Sequence, residues 1–345
     1  MTTYVAVQSG WAPNSADFPV KGDVEQMVRF CLRYAILAPS SHNSQPWWFK
    51  IDDNAVTIGL DVSRGLAVVD PRDREGIMSV GAAVFTLRVA LAHFGLSCRI
   101  NRWPDPLDPE ACAQLVADVG GPVETELDEL FEAISTRRTS RESFEEHPVE
   151  DALLEAIRAD VAAEGAVATV FTGVADRANL ASIVSQADQI QMSNPSFRRE
   201  LAAWLRHLGS RRHDGIHGIS LQSPLDQVLA ASPILVRTFD SGVRRGARDS
   251  ELIAGSPAMI VISTTGDEPD AWLSTGQALA RAMLRATATG LSVGFLNQAI
   301  EVADCRSAVA AILPDGAVPQ LLLRTGSGSE VTAQPRRPLD DFLVD

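Results

Sequence analysis

A 17-residue stretch, Gly81-Ala82-Ala83-Val84 through Gly95-Leu96-Ser97, aligns without gaps on a second, Gly276-Gln277-Ala278-Leu279 through Gly290-Leu291-Ser292. Position 81 matches 276 and position 97 matches 292, a constant offset of 195. Both copies carry small and apolar residues on nearly every side, as a buried helix does, and both close on a glycine suited to a left-handed cap. A chance match between two Ala-rich helices is the competing explanation, but the shared terminal Gly-Leu-Ser favours an internal duplication. The length of 345 residues fits two domains at a prior of ~150 residues each.

The halves should meet near residues 105 to 135, where Asp105-Pro106 and Gly120-Gly121-Pro122 punctuate the chain and Glu124 to Glu132 begins a new helical pattern. This gives a first half over 1–125 and a second over 126–345. Helical spacing runs from Val24 to Leu37 until Pro39 blocks it, and strands follow around Trp48 to Ile51 and Val56 to Leu60. The second half reads as helices over 149–163 and 175–191, strands over 166–172, 258–263 and 320–324, and the repeated helix. Strands alternating with helices indicate α/β or α+β layering. Between 196 and 256 the halves cease to correspond, and glycines interrupt Arg-rich and apolar stretches. An insertion of that length inside a domain is expected to act as a lid.

Composition removes whole classes. With 30 basic and 44 acidic residues the net charge is −14, the wrong sign for a protein that wraps nucleic acid or an anionic bilayer through its general field. Cys31, Cys98, Cys112 and Cys305 lie far apart without a zinc-like spacing, so reduced thiols and no structural metal are expected. His213 and His217 stand four apart, but Gly215 between them makes a regular helix, and with it a metal site, doubtful. No secretory signal pattern and no run of ~18 apolar residues is evident. A cytoplasmic protein without nucleic-acid or membrane partners is expected.

Three segments carry chemistry. Ala38-Pro39-Ser40-Ser41-His42-Asn43-Ser44-Gln45-Pro46-Trp47 packs polar side chains between two prolines. It reads either as a stiffened surface for a flat heterocycle or as a structural turn with Asx-type bonds. Ser135-Thr136-Arg137-Arg138-Thr139-Ser140-Arg141 sets three arginines among hydroxyls, which suits a phosphate or, alternatively, a solvated helix end. Pro335-Arg336-Arg337-Pro338 is a stiffened double arginine able to close on the same anion.

Together the A-P-S-x-x-N-x-Q-P-W loop, the R-R-T-x-R segment, the helix ending in G-L-S and the terminal P-R-R-P-L-D-D-F stretch resemble the nitroreductase family of flavin enzymes. More narrowly they are similar to its Acg-like branch, in which two nitroreductase-like halves are fused. The similarity runs from about Val24 to Leu343. It implies an α+β, nitroreductase-like fold whose tandem halves form an intramolecular pseudo-dimer with an inserted lid. Only the first half holds the P-S-x-x-N loop and only the second the Arg segments, so the resemblance implies one FMN per chain.

Carried over by residue, the resemblance places Arg137, Thr139, Arg336 and Arg337 at the FMN phosphate, with Arg138 as a substitute. Pro39, Ser40, Ser41 and Asn43 meet the ring edge or ribityl chain. Arg141 lies toward the N1 and C2 carbonyl edge, where a cation tunes redox potential. Phe295-Leu296-Asn297-Gln298 falls where the family turns backbone N–H groups to flavin N5, through Leu296 and Asn297, although the usual acidic-glycine pair is replaced. The implied reaction moves hydride from NAD(P)H through N5 to nitro-aromatic or quinone-like acceptors, without a catalytic side chain. The alternative is a protein that sequesters FMN under a closed lid, with little or no turnover. A monomer and a homodimer both remain compatible.

Overall fold

The computed structural model describes residues 12–207, 209–218 and 232–345. Helix α1 (Val24–Ala35) starts where the Asp23 carboxylate accepts the Gln26 N–H at 2.8 Å, and it buries Val28, Cys31, Leu32 and Ala35. Strands β1 (Trp47–Asp52), β2 (Ala55–Leu60), β3 (Leu96–Arg102) and β4 (Ala111–Val119) form an antiparallel sheet in the order β1-β2-β4-β3. Helix α2 (Arg74–His93) lies between β2 and β3 in sequence. The region expected to join the halves thus contains β4. Asp105-Pro106 and Gly120-Gly121-Pro122 are the turns that bound it rather than a linker.

Further along come α3 (Phe131–Thr136), α4 (Asp151–Ala163), β5 (Val167–Phe171), α5 (Val174–Ser193) and α6 (Pro195–Trp204). A short parallel pair follows, β6 (Leu205–Arg206) with β7 (Ile216–His217), then α7 (Pro233–Thr238) and α8 (Gly242–Ala254). The remaining elements are β8 (Ala258–Thr264), α9 (Pro269–Ala288), β9 (Ser292–Phe295), α10 (Gln298–Glu301), α11 (Ala303–Ala310) and β10 (Val318–Gly326). The second sheet has the order β5-β8-β10-β9 and is also antiparallel. Taken in chain order, its four strands repeat the first sheet's arrangement, and α9 falls between the second and third strands as α2 does.

Both ends of α9 lie 195 residues after those of α2, at 269 against 74 and at 288 against 93. Gly95 and Gly290, at φ 76° and 81°, close the two helices. The helices cross at a glycine from each. A Cβ on Gly81 would stand 2.3 Å from the Leu273 carbonyl oxygen, and one on Gly276 would stand 2.0 Å from that of Met78. Residue 273 is 78 plus 195, so the contact is the same from either side, as across a two-fold axis. One apolar core draws on both sheets and both helices. Contrary to the sequence expectation, α2 is long and apolar enough to cross a membrane by length and composition, yet 94% of its apolar window is buried inside the protein.

Part of the expected lid, residues 208 and 219–231, lies outside the described residues. In the rest, α6 sets Phe197, Leu201 and Ala202 against Leu66 and Val69 of the first sheet's region in a small separate apolar cluster. The Glu200 carboxylate accepts the N–H groups of Val68 and Val69 at 2.8 and 3.0 Å. Asp214, 5% exposed, is gripped by Arg64, Arg206 and Arg212 at 2.7, 3.0 and 3.0 Å. After β10 the tail crosses to the first sheet, where Phe49 N–H donates to Phe342 O and Val344 N–H to Phe49 O. Phe342 packs against Trp47 and Phe49. This crossing carries Arg336 to the C-terminal end of α1.

Candidate functional site

Between the end of α1, the start of α2, the segment after α3 and the residues around α10 lies a cavity of about 270 Å³. That is just below the ~300–1,000 Å³ typical of small-molecule sites. The Pro39 to Asn43 loop forms one wall, with Pro39, Ser40, Ser41 and Asn43 all lining it. His42, Asn43 and Gln45 each adopt φ 53°, the left-handed region that costs a non-glycine residue about 1 kcal/mol or more. Hydrogen bonds hold Asn43 and Gln45 there, while the buried His42 Nδ1 has no partner among the described residues. Asn43 Nδ2 donates to the carbonyls of Gly215 and Pro335, Gln45 Nε2 donates to His213 O at 2.8 Å, and Arg337 N–H donates to Gln45 Oε1. The loop is thereby tied to both the insertion and the tail.

Arg137, Arg138, Thr139 and Arg141 form the facing wall. They follow α3 and run beside β9, where Thr139 bridges Val293 and Ser140 N–H donates to Val293 O at 2.8 Å. Arg336 completes a basic end. Its guanidinium donates to the carbonyls of Ile36, Leu37 and Ala38 and to Asn43 Oδ1, while Arg137 Nη2 also reaches Leu37 O. The free carbonyls at the C-terminus of α1 attract these cations. Arg137 and Arg336 are each only 7% exposed.

Among the described residues no carboxylate answers the charges of Arg137 and Arg336, and Arg137 Nη1 is buried without a hydrogen-bond partner. Burial, then the charges of Arg336 and Arg138, holds the Arg137 guanidinium down at about 9. Burial, then Arg138, brings Arg336 to about 10. Cations held this unfavourably, with an orphaned donor in a cavity wall, suit a phosphate, whose oxygens would accept those donors. A solvated helix end is excluded by the burial.

The other sequence-predicted contacts divide by alternation. Phe295 and Asn297 line the cavity, whereas Leu296 is buried in the apolar cluster behind it and donates its N–H to Leu322 O. Arg337 faces away and lies 4.5 Å over the Phe342 ring, paired with Asp341. Leu296 and Arg337 are thus turned away from the cavity that their neighbours Asn297 and Arg336 line.

Several lining residues were absent from the sequence reading. His42 is pushed down to about 4 by burial first and then by Arg245 and Arg141, so its imidazole is neutral. From the insertion, Phe197, Leu201 and Ile216 supply an apolar roof, and Arg245 of α8 joins them. Glu75, in the first turn of α2, accepts from Ser41 Oγ at 2.5 Å and pairs with Arg74 at 3.1 Å. Glu301, at the end of α10, accepts from Gln191 Nε2. Burial, then Glu75, pushes its carboxyl up to about 8. The roof had a signal in the inserted segment. The two glutamates had none, since only the fold brings 75 and 301 together.

No protein-family model matches the chain. It is 32% identical over 325 residues to Rv3131 of Mycobacterium tuberculosis, a candidate NAD(P)H nitroreductase, covering 92% of this chain and 91% of that one. It is 31% identical over 328 residues to acg, a second candidate NAD(P)H nitroreductase of that organism, covering 92% and 95%. Among solved structures, the FMN-dependent nitroreductase NfnB of Mycobacterium smegmatis in complex with NADPH overlays 62% of this chain and 96% of its own, at 16% identity and a TM-score of 0.40. A nitroreductase with bound FMN from Desulfitobacterium hafniense overlays 63% and 98%, at 17% identity and a TM-score of 0.37.

Proposed function

The chain belongs to the NAD(P)H nitroreductase family, and on that premise we propose that it binds one FMN in this cavity and passes electrons from NAD(P)H to nitro-aromatic or quinone-like acceptors. The observation that carries the cofactor is the basic end, where Arg137, Arg138 and Arg336 line one pocket and Arg137 keeps an unpartnered buried donor. Bound FMN supplies hydride chemistry at its N5. The chain's own residues then bind and orient. Arg137, Arg138 and Arg336, with Thr139, hold the phosphate, and each charge-assisted bond is worth ~1.5–3 kcal/mol. The Ser40, Ser41 and Asn43 wall fixes the ring edge or ribityl chain, and Arg141 stabilises negative charge on the reduced ring.

The division of the site supports one FMN per chain and a boundary between two halves at 125/126, with 196–256 as the lid. The four cysteines are free of disulfides, which supports a reducing compartment, the cytoplasm. Anaerobic addition of NADPH, then NADH, to the yellow protein tests the activity. Loss of the oxidised-flavin absorbance, restored by a quinone or nitro-aromatic, is expected; yellow colour that only dithionite removes would reject turnover. That second result is the one expected of an FMN-sequestering protein, a reading favoured by the Phe197, Leu201 and Ile216 roof.

A further inference from the structure

The cavity is polarised. Arg137, Arg138 and Arg336 act on one another at its basic end, while Glu75 and Glu301 both line it and Glu301 feels the charges of Glu75, Arg74 and Asp70. We propose that Glu75 and Glu301 form a carboxyl pair that reads the imide edge of a phosphate-bearing heterocycle, Glu75 accepting the ring N–H and Glu301, as an acid, donating to the neighbouring ring carbonyl. This rests on the FMN reading and extends it, since it assigns the end of the cavity that the arginines leave unexplained.

The geometry fixes the two roles. Glu75 sits in the first turn of the twenty-residue helix α2, whose amide dipoles favour an anion. It is 4% exposed and paired with Arg74, which is itself anchored to Gln320 O at 2.6 Å. Its backbone N–H, with that of Gly76, donates to the Asp70 carboxylate at 2.7 and 2.9 Å, so the turn cannot swing away. Ser41 Oγ donates to Glu75 from the loop wall.

Glu301 lies across from it with no arginine bonded to its carboxyl among its described contacts, only the Gln191 amide of α5. One turn earlier on α10, Gln298 is engaged with Asp188 of α5 and Asp249 of α8. Glu301 is therefore faced by the acids Glu75 and Asp70, with Arg74 as the nearest cation, and burial beside them keeps it protonated at neutral pH. A carboxylate beside a carboxylic acid presents one acceptor and one donor, the complement of an N–H beside a carbonyl. In the same cavity Arg137, 7% exposed, holds an unpartnered donor that calls for a ligand acceptor.

The test is FMN binding to apoprotein, followed by flavin fluorescence, with FMN and its N3-methyl derivative as probes. At neutral pH the N3-methyl derivative should bind at least about tenfold more weakly than FMN. FMN affinity should fall as Glu301 ionises, approaching about tenfold per pH unit above its pKa. Glu301→Gln, whose amide still donates, should bind FMN with that pH dependence removed. FMN binding that is flat to about pH 9 and indifferent to N3-methylation would overturn the pair while leaving the cofactor reading intact. Apoprotein that binds no FMN at neutral pH would overturn both. The two wild-type measurements decide even where the variant fails to fold.

Discussion

Replacing Arg137 by Met should move two properties in opposite directions. In the protein without ligand, the guanidinium is 7% exposed, and its pKa is drawn from 12.5 to about 9 by burial and by Arg336 and Arg138. At about 1.4 kcal/mol per pH unit, the buried charge costs the fold roughly 5 kcal/mol. Met removes that cost but also the bond to Leu37 O and some packing, leaving a net gain of roughly 1–3 kcal/mol. Over 345 residues, an unfolding entropy of about 2.1 cal/mol/K per residue turns this into an apoprotein Tm higher by roughly 1–4 °C. FMN affinity should fall instead, by about 10- to 150-fold, for the loss of one charge-assisted phosphate bond worth ~1.5–3 kcal/mol. Thermal unfolding of apoprotein and FMN titration on the same preparations give both numbers. A variant whose apoprotein is destabilised while FMN affinity is unchanged would refute the reasoning, because Arg137 would then be a structural residue.

Other perturbations separate the site from its surroundings. Arg337→Ala should leave FMN affinity within about twofold, since the side chain lies over Phe342 outside the cavity; titration against wild type checks this. Asp214→Ala removes the acceptor shared by Arg64, Arg206 and Arg212 at a cost of about 3–5 kcal/mol. It should loosen the insertion, so stopped-flow bleaching by NADPH should speed up if the roof limits access. Gly276→Ala places a Cβ 2.0 Å from Met78 O at the helix crossing and should cost more than ~3 kcal/mol or abolish folding, as read by denaturant titration. Glu301 has a folded pKa raised from 4.5 to about 8. The folded apoprotein then holds more protons than the unfolded chain between those values, so its stability should decline as pH rises through that window. Glu301→Gln should make that decline shallower in urea melts across the range, with Asp188 and Asp70, raised to about 7 and about 6 chiefly by burial, supplying the rest.

What could be read in the sequence was local. The Pro39 to Asn43 loop and the Arg137 to Arg141 run announce themselves because their residues are neighbours in the chain, and the structure sets both in one cavity. The 195-residue repeat was legible because a close helix crossing demands glycine at both contact points. Phase was not legible. Arg336 and Arg337 are chemically alike in sequence, but only Arg336 turns into the cavity, and Leu296 packs in the apolar cluster while Asn297 lines the cavity.

The polar first turn of α2, Arg74-Glu75, precedes the apolar run that marks the helix, so a reading that starts the helix at Gly81 passes over the residue beside Ser41. Likewise β3 alternates Cys98, Ile100 and polar residues too briefly to stand out, and only its pairing with β4 makes it a strand. Glu301 offered no signal at all, because its character comes from burial first and then from Glu75, 226 positions away in sequence.

The central claim is that one chain builds one flavin site from a loop found only near residue 40 and from the Arg137–Arg141 and Arg336 segments, which occur only in the second half. Flavin released from the saturated, desalted protein, identified and quantified against protein concentration, tests it most directly. One FMN per chain is expected; two per chain, or none retained, would contradict a single site built from both halves.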